Sequence, residues 1–289
     1  MPRPSSRSSS SEASMQPTGR EVGPRPVREN GPVRYRARVE YDGTDFSGFQ
    51  VQPGRRTVQG ELEAALARLG DGSRVRVVAA GRTDAGVHAS GQVIAFAYPG
   101  RLSIRELERA LAAILPEDIG VHGLRRAAPG FHPRYAARYR EYRYTVWNGP
   151  RSPLRERFAL GVRAPLDVAA MAEAASALVG RHDFSAFGAA ERQPIRNVHW
   201  IRIRRIGHRV TIDVAADAFL RQMVRSVVAA LLRVGRGEIA GSEIAGALES
   251  GGRAFHGAVA PPQGLCLRRV VYDGPARRTE KDDDEDVYA

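Results

Sequence analysis

Between residues 33 and 273 the apolar residues change period from two to 3.6 and back, and they do so in the same order twice. That rhythm restricts the chain to mixed architectures, because a period of two buries one face of a strand and a period of 3.6 buries one face of a helix. In the first pass "VRYRARVEY" (33–41) alternates apolar and charged residues, the pattern of a half-buried strand. "TVQGELEAALARLG" (57–70) follows as a helix, with Thr57 as N-cap, Val58, Leu62, Ala65, Leu66 and Leu69 on one face, and Gly70 at its end. "RVRVVAA" (74–80) and "QVIAFAY" (92–98) read as strands. "SIRELERALAAIL" (103–115) opens with a capping box, Ser103 with Glu106, and Pro116 ends it before a strand at 119–127.

The second pass begins with a strand in "EYRYTVWN" (141–148) and a helix in "DVAAMAEAASALVG" (167–180). "NVHWIRIRRI" (197–206) and "RVTIDVAA" (209–216) are strands turning through Gly207 and His208. Helices at 218–235 and 242–250 precede a last strand, "LCLRRVVY" (265–272). Each pass reads strand, helix, strand, strand, helix, strand, which is the ferredoxin-like order, with one extra helix in the second. The expected fold is therefore α+β, two ferredoxin-like halves whose sheets join around a central basic cleft with helices on one face. The halves are placed at 33–130 and 131–274. The Ser- and Pro-rich segment 1–32 and the acidic segment 275–289 are expected to be disordered tails.

The net charge of +12 resides in the part expected to fold, since residues 1–32 are nearly balanced and 275–289 are acidic. A basic folded region fits a polyanionic partner, whose neutralised phosphates release counterions. No apolar run approaches the roughly 20 residues of a bilayer span, and the polar N-terminus has no signal core, so a cytoplasmic location is expected. The lone cysteine, Cys266, excludes an internal disulfide and a multi-cysteine metal cluster, and its apolar surroundings make it a core thiol.

The segment "AGRTDAGVHASGQV" (80–93) places a carboxylate, Asp84, between two glycines and two residues after Arg82. Local chemistry allows a tight turn or a site. The glycines let the backbone approach a ligand closely, and Arg82 could both pair with Asp84 and hold a phosphate. Asp84 and His88 stand four apart, but the glycines argue for a loop and no third metal ligand is near; His182 with Asp183, and His122 with His132, are no better. No Gly-x-Ser-x-Gly elbow occurs. "GRGEIAG" (235–241) lacks the Lys-Ser/Thr of a phosphate loop and reads as a helix-ending turn.

The same segment resembles the catalytic stretch of the tRNA pseudouridine synthase A family. "YDGTDFSGFQVQP" (41–53), "TVQGELEAAL" (57–66), "LPEDI" (115–119), "FHPRYAARYREYRYTVWN" (131–148), "LVGRHDFSAF" (178–187), "RNVHWIRI" (196–203), "DAFLRQMVRSVVAALLRVG" (217–235) and "PPQGLCLRRVVY" (261–272) follow in the family's order, so the resemblance covers roughly 33–273. It implies an enzyme, an RNA pseudouridine synthase, that isomerises uridine in the anticodon stem-loop of tRNA (positions 38, 39 or 40). It implies no cofactor and no metal, tRNA rather than DNA as partner, no membrane, and a homodimer. Residue by residue, Asp84 matches the catalytic aspartate, Arg82 the arginine that pairs with it, Tyr142 the aromatic residue on the substrate uracil, and Arg225 a second active-site arginine. An ionised Asp84 could attack the sugar or the base, or act as a base at C2′. Phe49, Ala113, Ile114 and Ser226 depart from the family's usual residues, which bears on substrate preference. His132 and Arg134 in "FHPRYAA" have two readings, an RNA contact or a joint between the halves. Outside the resemblance, a non-catalytic RNA-binding platform would need exposed strand aromatics such as Phe96 and Tyr98, and a metal-dependent nuclease would need clustered carboxylates.

Overall fold

Strand β1 (Arg34–Tyr41) sets the two-faced character of the sheet: Tyr35, Ala37, Val39 and Tyr41 are buried, while Arg34 and Arg38 are exposed. The computed structural model describes residues 34–250, 255 and 257–273, so the tails expected at 1–32 and 275–289 lie outside the described residues. Helix α1 (Val58–Leu69) starts where Thr57 accepts a hydrogen bond from the Gly60 amide. β2 (Val78–Ala79) and β3 (His88–Ala97) follow, then α2 (Ile104–Ile114), which carries the full Ser103–Glu106 capping box, and β4 (Ile119–Arg126). The second half contains β5 (Tyr139–Trp147), a single turn α3 (Pro153–Glu156), β6 (Leu160–Gly161), α4 (Val168–Ser176), β7 (Gly180–Asp183), β8 (Ile195–Ile206), β9 (Arg209–Ala216), α5 (Met223–Gly235), α6 (Gly241–Ser250) and β10 (Leu265–Val271).

All of these strands join one ten-stranded mixed sheet in the order β4–β1–β3–β10–β5–β9–β8–β7, with β2 on β3 and β6 on β5. The last strand of the chain lies in the middle. β10 runs parallel to β3 through Cys266 opposite His88 and Leu267 opposite Ala89, and antiparallel to β5 through Leu267 opposite Tyr142. The free edge of β3 is therefore shared: β2 takes its far end, Val78 opposite Ala95, and β10 takes its start. Loop 80–87 leaves the sheet between them.

The buried side chains form two clusters. One gathers β1, β3 and β4 with α1 and α2; the other gathers β5, β8 and β9 with α4, α5 and α6. Tyr142 packs against both clusters, and β10 contributes Leu267 to the first and Leu265 to the second. Phe96 and Tyr98 are buried in the first cluster at 1% and 4% exposure, which removes them as a surface platform for bases.

Several boundaries differ from the periodicity, each for a tertiary reason. Residues 74–77 form no ladder, because the Val77 amide donates to Glu63 Oε1 instead of to a neighbouring strand. β3 begins at His88, four residues earlier than its apolar run, since β10 supplies a partner there. α4 stops at Ser176 and Gly180, at φ +110°, opens the edge strand β7. α5 starts only at Met223, because Gln222 sits in the left-handed region at φ +66°.

Candidate active site

Loop 80–87 is short, and most of its backbone is spoken for. The Ala80 amide donates to Val93 O, Gly81 O accepts from Gln92 Nε2, and Ala80 O accepts from Arg140 Nη2 at 3.0 Å. The Phe49 amide donates to Thr83 O, and the Gly86 amide donates to Phe46 O, so the 43–57 loop braces it from one side. The buried Thr83 hydroxyl pairs with Tyr41 Oη at 2.8 Å. Gly86 is needed twice over: its φ is +75°, and a Cβ there would stand 2.8 Å from Pro262 Cγ. A loop tied at both ends by rigid strands is a suitable carrier for chemistry.

What this scaffold presents is Asp84, whose side chain is 33% exposed. Its Oδ2 accepts from Arg225 Nη1 at 3.3 Å, across 141 residues of sequence. Arg225 stands in the first turn of α5, is 12% exposed, and also donates through Nε to Ala260 O at 2.6 Å, while the Ala260 amide donates back to Arg225 O. The guanidinium is thereby aimed at the carboxylate; it does not extend to the surface as an arginine in an apolar helix otherwise would. The sequence expectation that Arg82 pairs with Asp84 is corrected here. Arg82 is exposed, and its side chain makes no hydrogen bond or ion pair among the described residues.

Tyr142 on β5 is the third group. Its hydroxyl lies 3.9 Å from where a Gly81 Cβ would be, and its ring meets Phe219 edge-on with centroids 5.1 Å apart. Burial pushes its phenol well up; the nearby Arg140 guanidinium opposes this and the Asp84 carboxylate adds to it. The hydroxyl is thus protonated at neutral pH, and it makes no hydrogen bond among the described residues. Asp84, Arg225 and Tyr142 converge at the seam between the two core clusters, bordered by the loop that Arg82 also occupies.

Three supports carried no sequence signal of their own role. His88 Nδ1 accepts from the Gly43 amide at 2.9 Å and Nε2 faces Gln263 O at 3.2 Å, so the imidazole ties the 42–43 turn to the 260–264 segment. Burial lowers its pKa, outweighing the Asp42 carboxylate 3.1 Å away. It is a strut and has no free nitrogen for a metal; among the described residues no group of three or more His, Cys, Asp or Glu is placed to hold one. Tyr144 Oη donates to Pro261 O at 2.8 Å, completing the fixing of 260–264 behind Arg225. Arg140 joins three carbonyls, its Nη2 donating to Ala80 O and Arg134 O and its Nη1 to Asp217 O. Cys266 lies 3.9 Å from Ser90 Oγ, and burial pushes its thiol up, consistent with an inert side chain.

Asp84 thus stands on a loop at the seam of a ten-stranded mixed sheet, in contact with a guanidinium 141 residues away. The sequence profile of the family described as tRNA pseudouridine synthase matches residues 37–136 and 174–273. The chain belongs to this family and is an RNA pseudouridine synthase, an isomerase. It is 45% identical over 238 residues to the tRNA pseudouridine synthase A of Methylococcus capsulatus, covering 81% of this chain and 88% of that one. The protein of the same name from Geobacter sulfurreducens is also 45% identical, over 81% of this chain and 97% of its own. That from Myxococcus xanthus is 46% identical over 85% and 95%.

Proposed function

We propose that the chain converts uridine to pseudouridine in the anticodon stem-loop of tRNA, at positions 38, 39 or 40, with Asp84 as the catalytic carboxylate. The observation that carries this reading is the Arg225–Asp84 contact, which unites the two halves at the one loop whose sequence resembles the family's catalytic stretch. The bond from uracil N1 to ribose C1′ breaks, the base turns, C5 bonds to C1′, the C5 proton leaves to a base and N1 takes up a proton, so that product and substrate are isomers. The reaction needs no co-reactant. Arg225 holds one oxygen of Asp84 and leaves the other directed to the substrate. The Tyr142 ring takes the face of the extruded uracil, and its protonated hydroxyl supplies a hydrogen-bond donor. Arg82, exposed at the rim, meets a backbone phosphate.

Around this site we read two ferredoxin-like halves, near 33–130 and 131–274. Support comes from the strand orders β4–β1–β3–β2 and β10–β5–β9–β8, which have the same pattern, and from two family matches, 37–136 lying mostly in the first half and 174–273 in the second. In this reading the enzyme acts as a homodimer, which rests on the family resemblance. The test is to incubate unmodified tRNA transcripts with the enzyme and map pseudouridine at nucleotide resolution. New pseudouridine confined to 38–40 is expected; modification confined to the other arms would overturn the assignment of target.

A further inference from the structure

Tyr135 is the most exposed aromatic side chain among the described residues, at 78%, yet it stands on one of the better-anchored turns of the surface. The Ala136 amide donates to His132 O and closes the turn. His132 Nδ1 accepts from the amides of Arg134 and Tyr135 at 3.2 and 3.4 Å, which fixes its ring, and that ring stacks on Tyr135 with centroids 4.3 Å apart and planes 30° from parallel. Pro133 is buried, and its carbonyl accepts from Tyr272 Oη at 2.9 Å. Arg134 O accepts from Arg140 Nη2 at 2.6 Å, and the same nitrogen donates to Ala80 O at 3.0 Å. The turn is therefore bolted to the start of the loop that carries Asp84.

The side chains of Arg134 and Tyr135 are exposed, and the Tyr135 ring is held against His132. The Arg134 guanidinium lies 5.9 Å from the Tyr135 ring centroid and has no carboxylate partner among the described residues. Burying a tyrosine ring removes a large apolar area from water, so an exposed one held rigidly is available for stacking at little ordering cost. A flat ring beside an unpaired guanidinium matches the chemistry of an unstacked nucleobase with its phosphate.

We propose that His132, Arg134 and Tyr135 form a stacking site for an unpaired base of the tRNA, outside the reaction pocket. Tyr135, backed by His132, receives the base and Arg134 its phosphate. This rests on the reading of loop 80–87 as the reaction site, because the turn's position beside that loop is what makes tRNA its partner.

The test is equilibrium binding of an unmodified tRNA transcript to chains that also carry Asp84→Ala, so that binding is read without turnover, with steady-state kinetics on the otherwise unaltered enzyme. Tyr135→Ala and Tyr135→Leu are each expected to weaken binding and raise KM about tenfold, with kcat within about twofold. Tyr135→Phe and Tyr135→Trp should bind like the parent, and Arg134→Ala should reduce the salt slope of binding by about one. Unchanged affinity in Tyr135→Ala would overturn the proposal, as would full affinity in Tyr135→Leu, which means apolar contact without stacking. A fall in kcat at constant affinity, or a lowered Tm, would make the turn a structural joint and also overturn it. If Asp84 is not catalytic, the Asp84→Ala chain still releases the C5 proton of uridine, which tells failure of that reading apart from failure of this one.

Discussion

Arg225 illustrates how a residue acquires a role that its neighbours in sequence conceal. It is set among Met223, Val224, Val227 and Val228 of a largely apolar helix, all buried, yet its guanidinium is held by Ala260 O and directed to Asp84. Removing it leaves a partly buried carboxylate without its cation. Arg225→Ala is expected to lower kcat on the order of a hundredfold while tRNA affinity changes less than about threefold, as for a group that acts on the reacting centre rather than on uniform binding. Arg225→Lys should recover little, since one ammonium cannot reach both acceptors in the planar geometry of a guanidinium. His88 gives a pH prediction. Its folded pKa lies below its unfolded value, so as pH falls below about 6.5 the unfolded chain takes up a proton that the folded chain refuses. Thermal stability should decline with acidification through that window, and His88→Gln should flatten this part of the profile; an unaltered profile would show that another group titrates. At this scale the motifs single out Asp84 and Tyr142, and the fold brings both to the seam that Arg225 also reaches. The pairing of Arg82 with Asp84, expected from its nearness and from the family resemblance, is not formed, and the contact to Asp84 comes instead from Arg225, 141 residues away.

The secondary elements were readable wherever their signals are local. Thr57 and the Ser103–Glu106 pair cap their helices as the residue types require, and the β8–β9 hairpin turns at Gly207, φ +55°. The start of α5 was not readable, because a glutamine in the left-handed region has no sequence mark. That conformation costs a non-glycine residue about 1–2 kcal/mol, and it turns the chain so that Arg225 falls in the first helical turn. Gln222→Gly is expected to hold or slightly raise stability in urea unfolding, while Gln222→Val should lose about 1–2 kcal/mol. The junction of β3 with β10 gives a second test. A Cβ on Gly91 would lie 2.0 Å from Arg268 O, so Gly91→Ala must force the two strands apart. A stability loss of about 1–3 kcal/mol is expected, the scale of overpacking; no loss would mean that the strands separate freely at that point.

For the whole molecule, the decisive feature is that the final strand lies in the centre of the sheet, between β3 and β5. Nothing local announces it, since "LCLRRVVY" reads as a strand but carries no label for its neighbours, and parallel pairing across about 180 residues leaves no short-range trace. The expected joining of sheets takes the form of one continuous sheet, with loop 80–87 emerging where β2 and β10 share an edge. The net charge of +12 should make tRNA binding steeply salt-dependent, with a log–log slope steeper than about −3. The central claim is that Asp84 performs the isomerisation. It is tested most directly by release of tritium from C5-labelled uridine in tRNA, comparing the parent chain with Asp84→Ala and Asp84→Asn at equal tRNA occupancy. Release by the parent with a loss of at least about a thousandfold in both variants is expected. Release at near-parental rates by either variant would contradict it.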